Sequence, residues 1–111
     1  MKIVNRTEFL KLPSETLYCI YKPCIFSDLE IKLDTIPNAN DWYYKSLVGN
    51  VKCNDSGELA DILTDAEDNK TSFKLDFNCI DRNGMFDESE LFAVYEKEDI
   101  QGLINALKQL I

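Results

Sequence analysis

Leu29-Glu30-Ile31-Lys32-Leu33-Asp34 alternates strictly between apolar and charged residues, a period of two that suits a β-strand and no helix. Upstream, Thr16 to Tyr21 is β-branched and aromatic, so the two runs read as paired strands. Lys22-Pro23-Cys24-Ile25-Phe26-Ser27-Asp28 links them as a loop, with Cys24 to Phe26 able to extend a strand. Before them, Asn5-Arg6-Thr7-Glu8-Phe9-Leu10-Lys11-Leu12-Pro13 places a capping residue three positions ahead of a Glu and ends at proline, the pattern of one or two helical turns.

Downstream, Pro37-Asn38-Ala39-Asn40 breaks the chain before a third strand, Asp41-Trp42-Tyr43-Tyr44-Lys45-Ser46-Leu47-Val48. Asp55-Ser56-Gly57-Glu58 then opens an amphipathic helix whose apolar residues Leu59, Ile62, Leu63 and Ala66 recur at helical spacing up to about Asn69. Phe73, Leu75, Phe77 and Cys79 alternate with polar residues, and Asn83-Gly84 is a hairpin signal that predicts pairing of Leu75 with Phe92 and Phe73 with Val94. Asp99 is the expected cap of a last helix carrying Ile100, Leu103, Ile104, Leu107 and Ile111. The order predicts a single α+β domain over residues 1–111: an antiparallel sheet of about five strands, two longer helices on one face and a short N-terminal helix.

A chain of 111 residues that is 45% hydrophobic is large enough for one core and too small for two. No run of signal-peptide or membrane-span length occurs, which predicts a cytoplasmic protein without membrane association. In that setting Cys19, Cys24, Cys53 and Cys79, with no Cys-x-x-Cys pair among them, are expected to stay reduced. The net charge of −8 is unevenly placed: residues 1–54 hold seven basic and six acidic side chains, residues 55–111 five basic and fourteen acidic. Such a surface repels a phosphate backbone, so direct nucleic-acid binding is not expected.

The chain has no histidine, which removes His-based triads, His general bases and His-containing zinc sites. No phosphate-binding glycine loop or nucleophile elbow is present either. No catalytic residue, resident metal or cofactor is therefore expected. One stretch, Cys79-Ile80-Asp81-Arg82-Asn83-Gly84-Met85-Phe86-Asp87-Glu88-Ser89-Glu90, resembles the second half of an EF-hand calcium loop. The resemblance would assign oxygen ligands to Asp81, Asn83, Asp87 and Glu90. Cys79 stands where the first carboxylate belongs, a soft donor for a hard ion. A single-site calcium module is thus the alternative to a binding protein.

Two groups are candidates for partner contact. The helix begun at Asp55 carries Glu58, Asp61, Asp65, Glu67 and Asp68 outside its apolar stripe, a possible docking surface for a basic partner. Trp42, Tyr43 and Tyr44 form the densest aromatic group, and strand alternation sends Trp42 and Tyr44 to one face and Tyr43 to the other.

The strings Met1-Lys2-Ile3-Val4-Asn5-Arg6-Thr7-Glu8-Phe9-Leu10-Lys11-Leu12-Pro13, Tyr21-Lys22-Pro23-Cys24 and Leu91-Phe92-Ala93-Val94-Tyr95-Glu96-Lys97-Glu98-Asp99 resemble small phage and prophage proteins. The resemblance implies an inhibitor that blocks a host defence or regulator by binding, in the manner of anti-CRISPR proteins. Its partner would be a host protein with a basic, nucleic-acid-binding surface.

Overall fold

The computed structural model describes residues 1–111. Along the chain run β1 (Lys2–Asn5), α1 (Arg6–Leu10), β2 (Thr16–Lys22), β3 (Ile25–Phe26), β4 (Glu30–Ile36), β5 (Asp41–Ser46), α2 (Ser56–Asn69), β6 (Ile80–Arg82), β7 (Leu91–Val94) and α3 (Lys97–Lys108). The strands form one antiparallel sheet in the order β1-β7-β2-β4-β5-β6, with β3 paired to the end of β2. The expected pairing of the second and fourth strands holds, with Leu17 opposite Ile31 and Tyr18 opposite Glu30.

Alternation along the strands puts Tyr18 and Ile20 of β2, Phe92 and Val94 of β7, Val4 of β1 and Tyr44 of β5 on one face. Trp42, two residues from Tyr44 on β5, joins them, and a bulge between Lys32 and Thr35 on the β4 side sets Thr35 opposite it. Phe9 from α1 closes this face, its ring stacked on Phe92 at 4.0 Å and edge-on to Trp42 at 5.0 Å. Phe9, Tyr18, Trp42 and Phe92 are all fully buried. Five residues cannot hold a helix in water without such packing. The Asn5 side chain caps the helix by accepting from the Glu8 N–H at 2.9 Å.

Glu30 and Lys32, the charged members of the alternating strand, lie on this same buried face, opposite Tyr18 and Thr16. Each is paired internally. Lys32 Nζ donates to the Leu12 and Leu33 carbonyls, both at 3.0 Å, so it closes the chain leaving α1. Burial pulls its pKa down. Trp42 Nε1 donates to the Tyr18 hydroxyl at 2.9 Å, which in turn donates to Glu30 at 2.7 Å. Burial raises the pKa of both Tyr18 and Glu30.

Four expectations are corrected. The sheet has seven strands, because β1 pairs with β7 and short β3 and β6 add to the edges. The longer helices do not share one face: neither α2 nor α3 buries a residue, and α1 is the helix that covers the core. Asn83-Gly84 does not join a two-residue hairpin. Gly84 takes the left-handed conformation the turn signal foretells, φ 66°, but its N–H donates to the Asp41 carboxylate and Asn83 N–H donates to the Trp42 carbonyl. The turn therefore anchors β6 on β5, and β7 crosses the molecule to lie between β1 and β2. Phe92 faces Val4 and Ile20 instead of Leu75, while Leu75 bridges to Val51.

The last helix starts one turn earlier than expected. Glu96 is its N-cap and Asp99 its third residue, accepting from the Glu96 N–H at 2.8 Å and pairing with the N-terminal ammonium at 2.7 Å. The radius of gyration is 16.1 Å, against about 13 Å for a compact domain of this length.

Candidate functional site

Between β5 and β6 the chain leaves the sheet as an arm. Its base is a short ladder: Val51 bridges Leu75, Lys52 N–H donates to the Lys74 carbonyl at 2.9 Å, and Asp76 N–H donates to the Asn50 carbonyl at 2.7 Å. Helix α2 is carried on this base. Asp55 caps it by accepting from the Glu58 N–H at 2.7 Å, and Lys70 ends it in the left-handed conformation. Asn54 braces Glu58 at 3.0 Å.

Glu58, Asp61, Asp65 and Asp68 follow one another at three and four residues and so form a single row along the helix. At about 1.5 Å rise per residue the row is roughly 15 Å long. Glu67 lies off this row, across the helix axis. None of the chain's ion pairs involves an α2 carboxylate: the four pairs join the N-terminus to Glu96 and Asp99, Arg6 to Glu90, and Arg82 to Asp41. Asp65 is partly occupied, because Asn69 and Thr71 donate to it and hold its pKa below the usual carboxylate value. It also lines a cleft of about 290 Å³ with Lys52, Ile62, Phe73 and Lys74, so the middle of the row is the least free part. Asp61, Glu67 and Asp68 are exposed, and Glu58 is half-buried.

The aromatic candidates divide as alternation requires. Trp42 is fully buried against Phe9, with its indole N–H used by Tyr18, so it serves the core and is out of a partner's reach. Tyr44 is half-buried against that core. Tyr43 is exposed and is the one member able to meet a partner directly.

The oxygens of the calcium-like loop diverge. Asp81 is opposite Tyr44 in the β5–β6 pair, Asn83 accepts from Met85 N–H, and Asp87 accepts from the Ser89 N–H and hydroxyl. Glu90 pairs with the buried Arg6 guanidinium at 3.5 Å. No three Cys, Asp or Glu side chains come together closely enough to hold a metal ion. All four cysteines are free. No helix is long and apolar enough to cross a membrane.

Two charged groups that sequence reasoning did not single out organise the region beside the core. Asp41 is completely buried and bonds Arg82 Nε at 2.6 Å, its own neighbour Trp42 N–H at 2.9 Å and Gly84 N–H. Burial pushes its pKa up, but Arg82 and these N–H donors outweigh it and hold the carboxyl below its ordinary value. Arg6 lies over the Trp42 ring at 5.0 Å and reaches Asn40 and the Asp87 carbonyl, tying the 83–90 crossover to α1. Neither residue belongs to a recognisable local pattern; both act through partners 34 to 84 positions away in sequence. What the arm offers chemically is therefore a row of carboxylates for cationic groups. No protein-family model, curated protein or solved structure matches the chain.

Proposed function

We propose that this chain is a non-enzymatic binding module whose α2 carboxylates occupy a basic surface of another protein, of the kind that otherwise holds nucleic acid. The observation that carries the reading is the row Glu58, Asp61, Asp65 and Asp68: it stands on an arm outside the sheet and no Lys or Arg forms an ion pair with it. Carboxylates without a cation leave a strong negative field, which steers a basic partner and discriminates against acidic ones. The resemblance to phage proteins fits an inhibitor of a host factor, and Tyr43 is an exposed aromatic available to such an interface.

The test compares the wild type with the triple variant Asp61→Lys, Asp65→Lys, Asp68→Lys in capture from bacterial lysate at low and high salt. Capture by the wild type should weaken as salt rises and be competed by duplex DNA, because both ligands would hold the same basic surface. The variant should lose at least tenfold in affinity with an unchanged far-UV circular dichroism spectrum. Equal capture by both proteins, indifferent to DNA, would remove α2 from the interface. Calorimetry with millimolar Ca²⁺ addresses the calcium alternative in the same samples; the scattered oxygens predict no heat.

A further inference from the structure

Asn83-Gly84 is the chain's one Asn-Gly pair, and it serves no hairpin. An asparagine followed by glycine carries a chemistry of its own. Once deprotonated, the glycine nitrogen attacks the asparagine Cγ, because no Cβ on the second residue blocks the approach. The new C–N bond closes a five-membered succinimide, the Cγ–Nδ2 bond breaks, and the proton taken from the nitrogen leaves on ammonia. Water then opens the ring at either carbonyl and leaves an aspartyl or an isoaspartyl residue.

The two reacting groups are held differently here. Asn83 Oδ1 accepts from the Met85 N–H at 3.2 Å, a donor that would also stabilise the oxyanion formed during attack. The nucleophile is instead fastened away. Gly84 N–H donates to the two oxygens of Asp41 at 3.2 and 3.1 Å, and the Asn83 N–H donates to the Trp42 carbonyl at 3.2 Å. The peptide groups on either side of the Asn83 Cα are thereby both tied to β5. In the succinimide the N–Cγ bond takes the place of the N–H bond, which in the fold points at a carboxylate and not at Cγ.

Asp41 also makes the deprotonation costly. It is completely buried, and against the upward push of burial Arg82 Nε at 2.6 Å and the N–H donors keep it ionised. A carboxylate so stabilised is a weak base, and a nitrogen anion beside it would meet a like charge away from water.

Conversion would undo the anchor that restrains it. An isoaspartyl link runs the main chain through the side-chain methylene, adding an atom between the Asn83 and Gly84 N–H groups, so both bonds to β5 cannot be kept. Either product adds a carboxylate beside Asp41. Strand β6 pairs with Tyr43, Tyr44 and Lys45 immediately before this turn, and the arm returns to the sheet through it.

We infer that Asn83 is a self-modification site gated by Asp41: deamidation is suppressed while Gly84 N–H is held, proceeds when that contact opens, and then loosens β6 at the root of the arm. The intact chain is incubated at mildly alkaline pH with and without urea, and conversion at Asn83 is followed by peptide mass spectrometry. The folded wild type should convert at least tenfold more slowly than the urea-unfolded chain. Asp41→Asn, which keeps the size and removes the charge, should convert at least tenfold faster than the wild type in buffer, beyond what any unfolded fraction in its far-UV circular dichroism accounts for. Deuterium exchange of the Gly84 amide needs the same opening, so in the wild type folding should slow exchange and conversion by closely similar factors, a comparison that holds even if Asp41→Asn does not fold. A folded wild type that converts as fast as the unfolded chain overturns the inference. So does a folded Asp41→Asn no faster than the wild type, or a Gly84 amide that exchanges freely while Asn83 stays intact.

Discussion

The shortest helix in this protein and the two longest do opposite work. Helix α1 has five residues and buries two of them, Phe9 and Arg6, while the 14 residues of α2 and the 12 of α3 bury none. Length and amphipathic pattern decided that the longer segments would be helices; they did not decide that the helices would be covered. What distinguishes α1 is its position, held between β1 and the turn into β2 so that Phe9 drops onto the only aromatic cluster. Stability is thus concentrated in the sheet and α1, and the arm and α3 are surfaces. The contrast predicts that equal truncations in the two regions have very unequal costs.

The largest effect should come from Phe9→Ala. It removes a fully buried ring that stacks on Phe92 and touches Tyr18 and Trp42, leaving a cavity that a five-residue helix cannot refill. A loss of about 3–5 kcal/mol is expected by urea unfolding. A loss under about 1 kcal/mol would mean that α1 is not the lid of the core.

Next in size is Asp41→Ala, which leaves the Gly84 and Trp42 N–H groups and Arg82 without their acceptor and should cost about 3 kcal/mol. The pH dependence carries a sign. The folded-state pKa of Asp41 lies below its ordinary 3.8, so the stability it contributes is fully present above the ordinary value and is lost as pH falls through the folded one. Glu30 acts in the other direction: burial raises its pKa above 4.5, so its contribution is present below that value and is lost as pH rises through the folded one. Midpoints of thermal unfolding followed from pH 5 downward should therefore fall more steeply for the wild type than for Asp41→Asn. Parallel curves would show that Asp41 is not the carboxylate responsible.

Much of the sheet was legible because β2, β4 and β5 carry their pairing in local sequence: β-branched and aromatic residues, a period of two and turn residues between. The α2 cap at Asp55 and the α1 cap at Asn5 were legible for the same reason. The course from 73 to 94 was not. Alternation at Phe73 to Cys79 and a left-handed Gly84 are compatible with a hairpin, and only the buried Asp41, 43 positions away, decides where Gly84 N–H goes. Likewise nothing local in Lys2–Asn5 announces an edge strand; β1 exists because β7 arrives beside it. The charged face of β4 turned inward because carbonyls at Leu12 and Leu33 and the Tyr18 hydroxyl wait there for Lys32 and Glu30, partners set by topology. The acidic row was readable in full, while its lack of an ion pair with any Lys or Arg required the fold.

The smallest effect should come from truncating α2. Ile62 is the residue of its stripe that faces the arm's own cleft with Phe73 and is only half-buried, and Ala66 beside it is already small. Ile62→Ala should therefore cost less than about 1.5 kcal/mol, well below the usual price of a core truncation, because little water-excluded volume is vacated. Native-state hydrogen exchange sharpens the same point: amides of α2 should exchange through local opening at far lower free energy than those of β2 and β7, whose strands pair on both sides. If Ile62→Ala instead unfolded the sheet together with the arm, the two regions would be one cooperative unit and the contrast between a stable core and a displayed helix would fail.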